Sequence, residues 1–222
     1  LLDFNFVKNF VLQIKPDIVI HCLADTNLKR CQDEQEKTLL LHCGLTHCLS
    51  SFDSKVIYIS SSSVIKPNNF YSKTKLLGEK ICLLNSEDNL VIRTNIYGTG
   101  SSSGKSLFEW AYNNFCNKTQ VVGYSDVFFN PIYTKQLIRC TLKLIENNHK
   151  GVVNIAGDYK ISKYQFLKKI CDIFNFDKSF LIEGKSSFND NVKRTKNTVL
   201  SVQDIKDESN IPLYLDKGLL EL

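Results

Sequence analysis

Tyr71 and Lys75 stand four residues apart, and ten residues before Tyr71 lies Ser61, inside the run Ser60-Ser61-Ser62-Ser63. On a helix, positions i and i+4 share a face, so an ammonium would lie one turn from a phenol. A nearby cation favours the phenolate and lowers the phenol's pKa. A tyrosine tuned in that way can give or take a proton at neutral pH, and a serine hydroxyl converging on the same point can hydrogen-bond the same substrate oxygen. Together the three residue types would polarise a carbonyl and protonate it as hydride arrives. The spacing alone is a loose signal, because Tyr159/Lys163 and Tyr164/Lys168 repeat it. For those two pairs the expectation is an ordinary solvated helix face. Tyr71 differs in its setting, which is a buried strand, a serine run, and then the tyrosine at a helix start.

Those residues need elements to hold them. Phe6, Val7, Phe10, Val11 and Ile14 repeat with helical period, and Pro16 ends that helix. Residues 17–23 (DIVIHCL) form a short apolar run rich in β-branched side chains, as in a strand buried on both faces. Helical patterns near 34–50, 71–84, 105–117, 134–147 and 161–174 alternate with strand-like runs at 55–60, 89–94, 119–122 and 152–156. A short helix is expected near 202–208 in an otherwise loop-rich tail. Strands separated by helical stretches of about 10 to 15 residues imply βαβ units and a parallel sheet. The expected fold is α/β, with a Rossmann-like parallel sheet over residues 1–157. A small mixed C-terminal lobe over 158–222 follows, with contributions from the 98–133 region. In such sheets function sits at the carboxyl ends of strands, and Ser61 falls there, directly after the 55–60 run.

The rest of the sequence mainly excludes. Its 222 residues are 43% hydrophobic and 23% charged, with 14 Phe and 9 Tyr, the profile of a globular protein rather than a disordered one. The net charge of +5 is spread over scattered lysines, so no nucleic-acid partner is expected. No apolar run approaches a bilayer span and residues 1–4 carry no signal-peptide pattern, so a cytoplasmic protein is expected. Cys22, Cys31, Cys43, Cys48, Cys82, Cys116, Cys140 and Cys171 form no CxxC pair and read as reduced, mostly buried thiols. Cys43 and His47, at i and i+4, are a tempting zinc pair, but no further ligands follow at a recognised spacing, so no metal is expected. Residues 98–106 (GTGSSSGKS) imitate a phosphate-binding loop. Thr99 holds the position that requires glycine and no Walker-B strand follows, so a loop at the sheet edge is expected. The chain contains no Met and reads as a protein missing its beginning.

A resemblance sharpens this reading. Residues 59–64 (ISSSSV) followed by 71–79 (YSKTKLLGE) resemble the extended short-chain dehydrogenase/reductase superfamily, and within it the dTDP-4-dehydrorhamnose reductase family. Residues 16–26 (PDIVIHCLADT) are similar to that family's PDVVINAAAYT strand and turn. Residues 91–98 (VIRTNIYG) resemble its R-x-x-x-x-Y-G strand end, 129–133 (FNPIY) its NPT segment, and 193–201 (KRTKNTVLS) its RPKNTALS stretch. The matches run in family order across nearly the whole chain. The resemblance implies reduction of a nucleotide-linked 4-keto-6-deoxy sugar, in deoxysugar or polysaccharide biosynthesis, with NADPH or NADH. Carried over by position, Tyr71 is the proton donor, Lys75 lowers its pKa and holds the nicotinamide ribose, and Ser61 orients the keto oxygen. Asp3 and Phe4 match positions near the adenine, and Leu23, Ala24 and Thr26 match the turn that lines the cofactor. Asn95 and Arg194 are substrate-side residues. Arg194 suits a phosphate or diphosphate, with a plain surface arginine as the alternative.

Departures from the family pattern accompany the matches. The glycine-rich turn that receives a cofactor pyrophosphate is absent, and about 35 residues of the usual first βαβ unit are expected to be missing. The segment between Ser61 and Tyr71 is short, His21 and His42 stand where the family more often has Asn, and Ser62-Ser63 replace an Asp-Tyr pair. Two alternatives therefore stand beside the reductase. One is a non-catalytic relative resembling the regulatory β subunit of methionine adenosyltransferase, which acts by binding a partner enzyme. The other is an NAD-dependent sugar-nucleotide epimerase or dehydratase. A nucleotide sugar is the expected small-molecule partner, with a homodimer or a partner enzyme as the expected protein contact.

Overall fold

The computed structural model describes residues 3–100, 106–187, 192–203 and 213–222. Along the chain the elements run α1 (Phe4–Ile14), β1 (Ile18–His21), α2 (Leu28–Asp33), and α3 (Gln35–Leu39), which continues through a π turn (Leu40–Gly44) into α4 (Leu45–Ser50). Next come β2 (Lys55–Ile59), a 3-10 turn (Ser62–Ile65), α5 (Phe70–Asn85), β3 (Leu90–Thr94), β4 (Ile96–Tyr97), α6 (Leu107–Cys116) and β5 (Val121–Tyr124). After these lie β6 (Phe128–Phe129), β7 (Ile132–Tyr133), α7 (Thr134–Glu146), β8 (Gly151–Ile155), β9 (Ile161–Ser162), α8 (Lys163–Phe174), β10 (Leu181–Gly184) and α9 (Leu215–Leu220). The fold is α/β and Rossmann-like, with a central four-stranded sheet in the order β1-β2-β3-β8. Two compact units interleave along the chain: residues 1–93, 145–154 and 188–195 form one, and residues 94–144, 155–187 and 196–222 the other.

In the first unit β2 lies buried beside β3. Val56, Ile57 and Tyr58 are fully buried, as parallel strands covered on both faces must be. It pairs in parallel with β1, from Ile18 opposite Lys55 to His21 opposite Tyr58, and with β3, from Ile57 opposite Leu90 to Ile59 opposite Ile92. Among the described residues β1 is the sheet's edge, with Ile18 and Ile20 exposed. An apolar groove of about 690 Å³ runs beside it, lined by Phe6, Phe10, Ile14, Ile18, Ile20 and Leu23 among others. Polar side chains lock the layers together. Asn89 accepts from the Val56 amide and donates to the Cys82 carbonyl, each at 2.7 Å, which ties the start of β3 to β2 and α5. Buried Glu79 on α5 accepts from Ser60 Oγ at 2.6 Å and from Arg93 at 2.6–3.1 Å. A buried carboxylate is tolerable there because its lone pairs are met by a cation and a hydroxyl.

The second unit is built on aromatics. Tyr97, Phe108, Phe115, Phe129, Tyr133 and Phe166 share one buried cluster with Leu167 and Ile170. The Tyr97 and Phe166 rings meet edge to face at 5.4 Å. β10 pairs in parallel with β5, β4 in parallel with β7, and β6 antiparallel with β9. Asn130 takes the amide of Leu200 and donates to the carbonyls of Gly157 and Leu200, at 2.9–3.0 Å. Helices α6 and α8 both start on capping boxes, Ser106 with Glu109 and Ser162 with Gln165.

The long elements lie close to their expected spans, and the short ones do not follow the sequence pattern. Helix α2, strand β10 and helix α9 were not anticipated. The six residues of α2 and of α9 are too few for a 3.6-residue period to declare itself, and Gly218 inside α9 weakens the helical signal further. Most of the helix expected at 202–208, and residues 101–105 of the glycine-serine loop, lie outside the described residues. Cys43 is buried and donates to the Thr74 carbonyl, whereas His47 is exposed and accepts from Asn85. That pair therefore forms no shared ligand face. Among the described residues no helix is long and apolar enough to cross a membrane.

The decoy pair Tyr159/Lys163 corrects another expectation, since it is not a solvated helix face. The Tyr159 hydroxyl donates to the Pro131 carbonyl. The Lys163 ammonium lies 3.3 Å from the centre of the Phe129 ring, and burial pulls its pKa down to about 7.

Candidate active site

Strand β2 ends at Ile59, and the serine run that follows divides its work. Ser60 turns inward to Glu79. Ser61 is extended and opens the 3-10 turn, its Oγ accepting from the Ser63 amide at 3.2 Å and pairing with Ser63 Oγ at 3.1 Å. The chain returns at Asn69, which caps α5. Asn69 Oδ1 accepts from the Ser72 amide at 2.9 Å, and the Asn69 amide donates to Ser72 Oγ at 3.2 Å. This reciprocal cap fixes where the helix starts, and so sets Tyr71 in its first turn and Lys75 one turn further on. Asn69 Nδ2 also donates to the Lys193 carbonyl at 2.8 Å.

The structure brings Ser61 and Tyr71 near each other, the serine hydroxyl close enough to the phenol to favour its ionised form. Burial raises the Tyr71 pKa above its ordinary value, and the neighbouring Ser61 hydroxyl pulls against that. The expected lowering by Lys75 is not what the geometry gives. The Lys75 ammonium donates to the Ile59 carbonyl at 2.8 Å and sits 4.0 Å from the centre of the Tyr58 ring, so its charge is spent on the sheet. Burial brings the Lys75 pKa down to about 8, opposed by the charge of Glu79. An ammonium has three N–H donors, and among the described residues one oxygen, that of Ile59, takes one of them. Lys75 thus keeps donors for a bound group. Helix and strand are pressed together at Gly78, where a methyl would come within 2.5 Å of Tyr58 Oη and 2.8 Å of the His42 carbonyl.

Leu23 and Ala24 are half-buried in the turn after β1, and Thr26 is exposed. Arg30 grips the Asp25 carboxylate and holds its pKa below the usual carboxylate range. The Asp25 amide donates to His42 Nε2 at 3.0 Å, and His42 Nδ1 lies 2.8 Å from Thr74 Oγ1 on α5. The His42 and Tyr71 rings stand edge to face, 5.7 Å apart at 83°. His21 Nε2 lies 3.1 Å from Thr46 Oγ1, whose hydroxyl donates to the His42 carbonyl at 2.6 Å. Burial, aided by the Lys75 charge, lowers both histidines to about 4, so both are neutral at pH 7. The sequence noted these histidines only as departures from a family pattern. No spacing rule could have revealed the network they make.

The remaining expected site residues are held locally. Asp3 caps α1, accepting from the amides of Asn5 and Phe6 at 3.1 Å, and the Phe4 ring packs over Gly44. Arg194 is exposed in the same unit. Asn95 belongs to the second unit, where its side chain donates to the Thr198 carbonyl at 3.2 Å and its own carbonyl accepts from Ile132 at 2.8 Å.

Known proteins provide comparisons. The model of the RmlD substrate binding domain family matches residues 51–215. The spore coat polysaccharide biosynthesis protein SpsK of Bacillus subtilis is 24% identical over 239 residues, covering 99% of this chain and 83% of that protein. Methionine adenosyltransferase 2 subunit beta of Xenopus tropicalis is 29% identical over 206 residues, covering 82% of this chain and 61% of the relative, less than two thirds of its length. The crystal structure of a dTDP-4-dehydrorhamnose reductase from Bacillus anthracis, in complex with NADP, superposes with a TM-score of 0.89 at 18% identity. It covers 99% of this chain and 84% of that one. At that identity the likeness speaks for the fold.

Proposed function

The chain belongs to the RmlD substrate binding domain family, and on that premise we propose that it reduces the keto group of a nucleotide-linked 4-keto-6-deoxy sugar with NADPH or NADH. The observation that carries the reading is the placing of the Ser61 hydroxyl beside the Tyr71 phenol at the end of β2, with the Lys75 ammonium one helical turn away. The relative of similar fold that binds NADP supports the cofactor class. The residues present fit such a group. Lys75 has N–H donors to spare for ribose hydroxyls, and the turn at 23–26 is tied to the same helix through His42.

When bound, the nicotinamide supplies the hydride. The chain's residues manage the oxygen on which charge develops. Ser61 Oγ donates a hydrogen bond to the substrate carbonyl and holds it against the Tyr71 hydroxyl. Tyr71, kept protonated by burial, transfers its proton to that oxygen as it becomes an alkoxide. The Lys75 ammonium holds the ribose with the N–H donors it keeps. Arg194 and Asn95 are the residues proposed on the nucleotide-sugar side, and Asp3 and Phe4 those near the adenine.

The test is Tyr71→Phe in the full-length protein, with turnover followed as NADPH oxidation by a keto-deoxy sugar nucleotide. Removing the proton donor should lower kcat by about 10²–10⁴ with little change in cofactor affinity. Unchanged turnover rules the assignment out.

A second reading is favoured by the relatives that are subunits of methionine adenosyltransferase 2. In it the chain is a non-catalytic subunit of another enzyme. A stoichiometric partner at purification, together with no NADPH oxidation on any keto sugar, would select it.

A further inference from the structure

Resting on the reductase reading, we infer that His42 is a positioning residue, whose ring fixes the turn at 23–26 against helix α5 through two hydrogen bonds of defined direction. The Asp25 amide can only donate, so His42 Nε2, 3.0 Å away, is its acceptor. A neutral imidazole then carries its proton on Nδ1, and that proton meets Thr74 Oγ1 at 2.8 Å. The Thr74 hydroxyl in turn donates to the carbonyl of Phe70 at 2.9 Å or of Tyr71 at 3.0 Å. Every link runs the same way, from the amide of the turn to the first turn of α5. The ring is fully buried on the π turn between α3 and α4, a segment that packs on α5. Its edge-to-face contact with Tyr71 also limits where the phenol can swing. Lys75, Asp25, His21 and the Tyr71 phenol are the charged and titratable groups around it. A second proton on the ring would set donor against donor at the Asp25 amide.

Three substitutions divide these contacts. A glutamine amide extends about as far as Nε2 and can still accept from Asp25. An asparagine amide reaches only as far as Nδ1 and keeps the Thr74 side. A phenylalanine keeps the ring edge and neither hydrogen bond. In His42→Asn and His42→Phe the KM for NADPH should rise about tenfold with kcat within about threefold, while His42→Gln stays near the unaltered protein. Equal KM values in all four proteins, or a rise in His42→Gln as large as in His42→Asn, overturn the proposal.

Two readouts need no turnover and separate this proposal from the reductase reading. Nitrogen-15 spectra of the unaltered protein should find His42 neutral at pH 7 with its proton on Nδ1. The Asp25 amide should exchange with solvent about tenfold faster in His42→Asn than in His42→Gln. The other tautomer, or equal exchange, overturns the positioning role even in a working reductase. The expected tautomer and exchange in a protein that neither binds nor oxidises NADPH would leave the role of the ring standing and overturn the reductase reading instead.

Discussion

Lys75 carries a charge that an ordinary assay can titrate. Its pKa lies near 8 because the ammonium is buried, and the charge of Glu79 offsets only part of that effect. The ammonium form, which holds the ribose, dominates below that value and is lost above it. The kcat/KM for keto-sugar reduction should therefore fall as pH rises through about 8. Tyr71, whose pKa is raised rather than lowered, should add no limb of its own below its ordinary range. A profile flat across pH 7–9.5 would remove Lys75 from the chemistry. The placing of Ser61, Tyr71 and Lys75 was legible in the sequence because strand, serine run and helix start follow each other directly. The destination of the lysine tip was not. Spacing fixes which face a side chain leaves from, whereas the Ile59 carbonyl and the Tyr58 ring that receive it come from tertiary packing.

At the level of elements, the α5 cap is where the site is set in register. Asn69 serves the Ser72 amide and the Lys193 carbonyl at once. Asn69→Ala should lower stability by about 1–2 kcal/mol, read from the urea midpoint at constant m-value. It should also raise the mobility of the Tyr71 turn. An unchanged midpoint would mean that packing of α5 alone sets its start. Strands β1, β2 and β3 and the long helices were readable because apolar runs and helical periods extend over enough residues to be unambiguous. The two-residue strands β4, β6, β7 and β9 were not. Each exists because a partner strand meets its backbone, and no local pattern records that meeting. The π turn was equally silent, since Leu40–Gly44 reads as ordinary amphipathic helix.

Across the whole molecule the thiols report on packing. None of the eight is in a disulfide; Cys22 and Cys116 are exposed, and the other six are buried. Burial lifts Cys43 and Cys171 to about 11 and Cys82 to about 12, so these remain protonated and unreactive at neutral pH. A thiol reagent at pH 8 should modify Cys22 and Cys116 in the native protein and reach the other six only after denaturant is added. Rapid native labelling of all eight would contradict the packing of both units.

The tight seam at Gly78 has a consequence on the timescale of descent. A side chain of even one carbon would collide there with a phenolic oxygen and a backbone carbonyl, so the spacing between helix and strand is closed to gradual drift. Lineages that came to accept a different ligand would have had to change the connecting segments above the scaffold. The codon at that position should be nearly frozen while those segments vary.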